Sequence, residues 1–268
     1  VLRYACPMAV GLRLFQYNHF NWNLLLNLPV SFRQEDIIHL IKMQMEQNEL
    51  IKTARITGAW YFGLAISGML GFLVFHPKLF VTNDPGKTLS NLTELVTIAR
   101  IRLVFELLIV VTQALAAVWF YKLFCTVDKW AALVLGIWGT VNAMIISVSA
   151  IAISASIGIA NAAVPVLQDK VILIQLLSSV ISNAWTVGGI FFGLWLLPMG
   201  YLVIRSGRMP IWLGRILLLG GVGYLLQTFL GSLGMGGSLL DILVLPATVG
   251  EFWMIGYLLI FGIRPAGK

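Results

Sequence analysis

Charged side chains are scarce in this sequence of 268 residues. Asp, Glu, Lys and Arg together make up 11% of the chain, whereas soluble domains carry about 25%. Hydrophobic residues make up 59%, and the mean hydropathy is +0.91. This composition cannot cover a soluble domain with polar surface, but it suits a protein whose outer surface faces lipid.

Cysteine and histidine are also rare, which excludes several kinds of site. The two cysteines, Cys6 and Cys125, are too few for a disulfide framework. The three histidines, His19, His39 and His76, lack the spacing of metal ligands. Neither a zinc-protease motif nor a nucleophile-elbow motif occurs. The sequence therefore predicts no catalytic residue, no metal site and no cofactor.

The net charge is +7, but the basic residues are scattered singly between apolar runs. A nucleic-acid site would need a basic tract or a basic-aromatic module, so we expect no nucleic-acid partner. We assign the excess charge to cytoplasmic loops and to anionic lipid headgroups. The expected partner is the lipid bilayer. The sequence is compatible with a homo-oligomer, and it does not identify a small-molecule ligand.

The first 45 residues differ from the rest. Residues 1–32 show neither helical nor strand periodicity and lack the layout of a signal peptide. Met45 precedes a short polar run and the basic residues Lys52 and Arg55, as at the start of many bacterial membrane proteins. We therefore expect residues 1–45 to be an atypical leader, and residues 46–268 to form the membrane domain. The leader is either a mis-assigned start upstream of Met43 or Met45, or an arm on the membrane surface.

Six apolar runs are long enough to cross a bilayer, which takes about 20 mostly apolar residues. The predicted spans cover about residues 58–76, 103–121, 130–156, 180–204, 211–233 and 242–263. The sequence thus predicts an all-α fold, a polytopic transmembrane bundle of six helices. We expect Pro198 and Pro246 to kink their helices.

The fourth span depends on the distribution of basic residues. The uncharged run 171–204 is long for one crossing and short for two. One crossing places Arg205, Arg208 and Arg215 on the same side of the membrane as Lys122 and Lys129, which flank Cys125. The positive-inside rule favours this solution, with both termini in the cytoplasm. We expect the location to be the cytoplasmic membrane of a bacterium.

Two carboxyl groups interrupt the apolar runs. Glu251 lies near the middle of the sixth span, and Glu106 lies one turn into the second, with Gln113 on nearly the same face. A charge inside a bilayer is costly, so these residues are paired or functional. Each is either part of a proton or ligand site or a structural carboxyl that fixes packing. Arg100 and Arg102 are the candidate ion-pair partners of Glu106.

Uncharged polar residues recur on the third, fourth and fifth spans. We expect Asn142, Asn183 and Gln227 to face other helices, where they either hydrogen-bond across the interface or line a polar cavity. Tyr61 lies near the end of a span, as is typical of the interfacial aromatic belt. The glycines between residues 220 and 237 indicate close helix packing followed by a turn.

One stretch resembles a known family. The sequence FFGLWLLPMGYLVIRSG over residues 191–207, followed by Pro210, Leu213 and Gly214, resembles the FFGL…GYL…RSG…P…LG signature of the DUF4386 family of bacterial membrane proteins. Shorter matches at residues 53–58, 121–123 and 250–251 extend the resemblance over about residues 50–265. The family often has His where this chain has Trp195, and this departure weakens the case for a histidine-based proton or metal role here.

The family has no established activity, so the function of this chain has to be inferred from its own residues. Our first interpretation is a small transporter or a membrane binding or accessory protein, since it needs no catalytic motif. The alternative is an intramembrane enzyme that acts on lipid or peptide through buried carboxyls. A structural or sensing protein is a third possibility.

Overall fold

The computed structural model describes residues 34–162 and 167–265, and within these ranges every regular element is helical. This confirms the predicted all-α class. The chain divides into two compact units, residues 1–49 and residues 50–268. Of the predicted leader, residues 1–33 lie outside the described residues, whereas residues 34–45 begin the first helix. In the first unit, the side chain of Gln44 donates a hydrogen bond of 3.1 Å to that of Asn48.

Among the described residues, six helical segments are long and apolar enough to cross a membrane, as predicted. The first span consists of α1 (Gln34–Met69), a π-helical segment (Leu70–Phe75) and α2 (His76–Leu79). A short helix, α3 (Pro85–Glu94), precedes the second span. The next four spans are α4 (Val96–Phe124), α5 (Lys129–Asn161), α6 (Leu167–Ser206) and α7 (Ile211–Ser232). The sixth joins α8 (Ser238–Leu243) to α9 (Leu245–Ile260).

The uncharged run 171–204 lies within the single helix α6, as a single crossing requires. The Arg205 guanidinium at the end of α6 contacts the carboxylate of Asp128, which precedes α5. After α9, the backbone N–H of Arg264 donates a hydrogen bond of 3.2 Å to the carbonyl of Arg208. These contacts place two connections and the segment after α9 at the same end of the bundle, which we call the Arg205 end. A single crossing by α6 requires this arrangement.

The opposite end, which we call the His76 end, is fixed by polar contacts of its own. The side chain of Asn91 in α3 donates a hydrogen bond of 3.4 Å to the carbonyl of Leu79. The ammonium group of Lys170 donates to the carbonyls of Ala160, at 3.3 Å, and Ala162, at 2.6 Å. These bonds join α3 to the first span and the start of α6 to the end of α5.

The first and last spans are both interrupted near the His76 end. The π-helical segment ends at Phe75, two residues before Pro77. The ring of Pro77 cannot fit against the preceding turn of an α-helix, and Pro77 has no N–H to donate. The kink predicted at Pro246 is a break instead, since α8 ends at Leu243 and α9 begins at Leu245. Pro246 therefore lies in the first turn of α9, where the missing N–H has no helical partner to lose.

The helices pack in sequence order and approach closely at glycines. α5 lies along α4 and α6, and α7 lies along α6 and α9. A Cβ atom added at Gly193 would lie 2.8 Å from the carbonyl oxygen of Gly221. One added at Gly58 would lie 2.9 Å from Cβ of Leu258. Small residues thus let α6 approach α7 and α1 approach α9, as is common between helices in lipid.

Candidate functional site

The first and last spans meet at a carboxyl group. Oε1 of Glu251 in α9 accepts a hydrogen bond of 2.6 Å from the hydroxyl of Tyr61 in α1. The Tyr61 ring is 2% exposed, stacks on Trp195 at 5.8 Å and meets the edge of Phe120 at 5.4 Å. The prediction that Tyr61 belongs to the interfacial belt is therefore wrong. Tyr61 is buried because Gly58, one turn earlier, brings this face of α1 against α9.

Glu251 lines a cavity of about 200 Å³, which we call the carboxyl cavity. Its inner wall is mostly apolar and includes the rings of Phe72, Trp185 and Phe192. Its rim includes Met69 of the first span, which is 43% exposed, and Phe252 of the last span, which is 47% exposed. The cavity therefore opens sideways between the first and last spans, at a surface that faces lipid in a membrane.

A buried ion pair lies on α4, beside this cavity. Nη1 of Arg102 lies 2.6 Å from Oε2 of Glu106, and both side chains are 0% exposed. The other carboxylate oxygen of Glu106 accepts a hydrogen bond of 3.0 Å from the indole N–H of Trp185. That N–H also points to the hydroxyl of Ser149, at 3.2 Å. Of the two candidate partners of Glu106, the structure therefore places Arg102 at the carboxyl, whereas Arg100 is exposed.

Arg102 keeps donors that the ion pair does not use. Its Nε and Nη2 atoms are buried and have no hydrogen-bond partner within the described part of the chain. Its guanidinium carbon lies 4.8 Å from the ring centroid of Phe72, so the cation faces an aromatic ring. Phe72 lies in the π-helical segment, and this contact ties that segment to α4.

Trp185 is a wall shared by three cavities. The Asp241 cavity, of about 520 Å³, is lined by Trp185 together with Tyr224, Gln227 and Asp241. The His76 cavity, of about 380 Å³, is lined by Trp185 together with His76, Ser178 and Ser182. Trp185 also lines the carboxyl cavity. The ion pair on α4 therefore orients a side chain that lines all three cavities.

The remaining predicted site residues lie apart from the carboxyl cavity. Gln113 is fully buried and donates a weak hydrogen bond of 3.4 Å to the carbonyl of Gly139. Asn142 is fully buried, and neither polar atom of its amide has a partner among the described residues. Asn183 is exposed and lines none of the three cavities. Gln227 lines the Asp241 cavity.

Sequence reasoning missed Tyr61 and Trp185. Tyr61 could have been identified from its spacing, since Gly58, Tyr61 and Ala65 follow one helical face that carries small residues. Trp185 could have been identified from its place in the uncharged run 171–204, because an indole N–H inside a bilayer needs an acceptor on another helix. No spacing in the sequence names Glu106 as that acceptor.

The site offers a ligand one accessible carboxyl group, that of Glu251. In the part of the chain that the structure describes, no three His, Cys, Asp or Glu side chains lie close enough to hold a metal ion. Glu106 is enclosed by Arg102 and Trp185. Glu251, by contrast, offers charge and hydrogen-bond acceptors to a cavity.

Comparisons with known proteins give a family but no activity. An uncharacterized protein of Archaeoglobus fulgidus is 32% identical over 69 residues, which cover 26% of this chain and 43% of that relative. The chain thus spans less than half the length of this relative. No solved structure matches. Residues 56–262 match DUF4386, which is described as a domain of unknown function. This match covers all six spans at least in part and confirms the resemblance seen in the sequence: the chain belongs to the DUF4386 family.

Proposed function

We propose that this protein is a small transporter or membrane binding protein that accepts a small ligand in the carboxyl cavity. One observation carries the proposal. Glu251, held by the Tyr61 hydroxyl at 2.6 Å, lines a cavity in the middle of an apolar span. Carboxyl groups within spans are costly, and in membrane proteins they mark ligand, ion and proton sites.

The helix interruptions support a binding role. The π-helical segment carries Phe72 into the wall of the carboxyl cavity, and π-helical turns are frequent at functional sites. The last span is broken between α8 and α9, and Asp241 of α8 lines the cavity on the other side of Trp185. Interrupted spans that border a site near the middle of the membrane are typical of transporters.

We further propose that the protein lies in the cytoplasmic membrane of a bacterium with both termini inside. The Arg205 end carries most of the basic residues that flank the spans, namely Lys52, Arg55, Lys122, Lys129, Arg205, Arg208, Arg215 and Arg264. The positive-inside rule then assigns the Arg205 end to the cytoplasm. In this orientation the His76 end faces outwards.

The enzymatic alternative lacks a supporting arrangement. A mechanism that uses only carboxyls would need two of them around one space. Glu106 is fully buried and, within the described residues, lines none of the three cavities, whereas Glu251 lines one. We therefore keep the binding role.

A thermal-shift screen in lipid nanodiscs tests the proposal. Small molecules are compared on the wild type, on Glu251→Gln and on Gly68→Phe. Gly68 lines the cavity, and a Cβ atom there meets nothing within 4 Å, so the added ring fills the cavity without a backbone clash. A ligand at 100 times its Kd stabilises the protein by about 2.7 kcal/mol.

The control variant is Glu94→Gln, which changes an exposed carboxyl on α3. We expect ligands that stabilise the wild type and Glu94→Gln but neither cavity variant. Ligands that stabilise all four proteins equally would place the binding site elsewhere and overturn the proposal.

A further inference from the structure

We propose that the ligand of the carboxyl cavity is an amphipathic cation, a protonated or quaternary amine that carries an apolar chain and enters from the lipid between the first and last spans. The inference rests on the proposed function and adds to it the chemical class of the ligand and the route of entry. Charge, aromatic rings, size and exposure each contribute to it.

The charges around the three cavities favour a cation. Among the residues that the structure describes, those lining the carboxyl cavity include one acid, Glu251, and no Lys, Arg or His, whereas Asp241 and His76 line the neighbouring cavities. The nearby guanidinium of Arg102 does not line the carboxyl cavity, and its Nη1 atom is paired with Glu106 at 2.6 Å, whereas Nε and Nη2 have no partner among the described residues. A cation in the carboxyl cavity would therefore meet a carboxylate. An anion would meet the same carboxylate, with the Tyr61 hydroxyl already engaged.

The aromatic wall also favours a cation. Phe72 and Trp185 meet edge to face at 4.3 Å, and Trp185 and Phe192 stack at 6.3 Å. Ring faces attract ammonium groups, and Trp attracts them most strongly. The Phe72 ring already faces the Arg102 guanidinium at 4.8 Å, so we assign the ligand cation to the rings of Trp185 and Phe192. Glu251 and these rings line one cavity, and aromatic cages recognise quaternary ammonium ligands.

The size and opening of the cavity favour an amphiphile. A volume of about 200 Å³ suits a small headgroup, whereas drug-sized ligands occupy roughly 300–1,000 Å³. The rim residues Met69 and Phe252 are large, apolar and exposed, and Gly68 between the helices adds no side chain to the opening. A chain attached to the headgroup can therefore remain in the lipid while the cation reaches Glu251. A fully hydrophilic cation would have no reason to approach from this side.

The test uses three probes with the same decyl chain: decyltrimethylammonium, decyl sulfate and decanol. Each is titrated by calorimetry into the full chain in lipid nanodiscs, and the heat of empty nanodiscs is subtracted. We expect saturable binding of the ammonium probe alone. We expect its Kd to rise at least tenfold in Glu251→Gln and to stay within twofold in the control Glu94→Gln. Gly68→Phe should abolish saturable binding.

A second variant distinguishes loss of the Glu251 charge from disruption of the structure around it. Tyr61→Phe removes the hydrogen bond to Glu251 but keeps the carboxylate, so it should bind the ammonium probe with a Kd raised less than tenfold. If Glu251→Gln and Tyr61→Phe weaken binding equally, the charge of Glu251 is not the determinant and the inference fails.

The outcomes separate the ligand class from the proposed function. Saturable binding of decyl sulfate or decanol that Gly68→Phe abolishes, without binding of the ammonium probe, would overturn the ligand class and leave the cavity as a binding site. Equal affinity for the ammonium and sulfate probes would also overturn it. If no probe binds, the inference is overturned, and the compound screen on the cavity variants then decides the proposed function independently.

Discussion

The indole N–H of Trp185 donates a hydrogen bond of 3.0 Å to Oε1 of Glu106, although the two residues are 79 positions apart in the sequence. This bond connects α6 to the ion pair on α4. Because Trp185 lines all three cavities, the position of its ring depends on a carboxyl that lines none of them. Glu106 thus positions the side chain of Trp185, whereas the carboxyl group of Glu251 is accessible from a cavity.

Trp185→Phe should destabilise the bundle modestly. A smaller aromatic ring replaces the indole, the bonds to Glu106 and Ser149 are lost, and hydrogen bonds between membrane helices contribute about 0.6 kcal/mol on average and up to about 1.7 kcal/mol. We expect a loss of about 1 kcal/mol, measured by SDS-induced unfolding followed by circular dichroism. The control is Trp130→Phe, whose ring is 73% exposed. Equal losses in both variants would contradict the role of the Glu106 bond.

Arg102→Met should cost far more than Arg100→Met. Arg102 and Glu106 are both 0% exposed, and removing one partner of a buried ion pair costs roughly 3–5 kcal/mol because the other charge is left unpaired. The double variant Arg102→Met with Glu106→Gln should recover part of this loss. A double-mutant cycle on unfolding free energies measures the coupling. Additive effects would show that the pair is not coupled in the membrane.

Gly221→Ala should destabilise the contact between α6 and α7. Its Cβ atom would lie 2.9 Å from the carbonyl oxygen of Gly193, closer than a carbon can approach without displacement of one helix. Overpacking of this kind costs roughly 1–3 kcal/mol. Gly231→Ala on the same helix is the matched control, since its Cβ atom meets nothing within 4 Å. Similar thermal stability of the two variants would contradict the close packing of these helices.

Asp128 should make stability depend on pH at the acidic end. The backbone N–H of Ala131, with Arg205 and Tyr201, holds the pKa of Asp128 below its ordinary value of 3.8. The pKa of Asp128 is lower in the folded state than in the unfolded state. The stabilisation by ionised Asp128 is therefore complete above about pH 3.8 and is lost as the pH falls through the folded-state pKa. Thermal melts across this range should therefore show a smaller acid-induced decrease for Asp128→Asn than for the wild type. Equal acid-induced decreases in the wild type and in Asp128→Asn would contradict this role of Asp128.

Cysteine labelling should place Thr126 and Ile211 on the same side of the membrane. In a background without native cysteines, Thr126→Cys and Ile211→Cys lie at the Arg205 end, and Met235→Cys lies at the His76 end. With intact cells, a membrane-impermeant maleimide should label Met235→Cys only. Labelling after permeabilisation serves as the control for reactivity. Opposite labelling of Thr126→Cys and Ile211→Cys would contradict a single crossing by α6.

The sequence by itself determined the all-α class and the six spans. Helices in lipid must satisfy their own backbone hydrogen bonds, so apolar length alone identifies them. The basic residues around the run 171–204 also predicted its single crossing. An even number of crossings by this run would move Arg205, Arg208 and Arg215 to the outer side of the membrane, against the positive-inside rule. Glu106 and Glu251 stood out for a related reason, since any charge inside an apolar span needs an explanation.

Only the tertiary structure decided which partners these carboxyls have. Arg100 and Arg102 both lie near Glu106 in the sequence, but the rotation of α4 buries Arg102 and exposes Arg100. Tyr61 and Trp185 are 190 and 79 positions from the carboxyls that they contact. Sequence spacing fixes which residues share a helical face, but the partner of that face depends on how separate helices rotate and pack. For this reason the spans could be predicted from local hydropathy, whereas the carboxyl cavity and its aromatic wall could not.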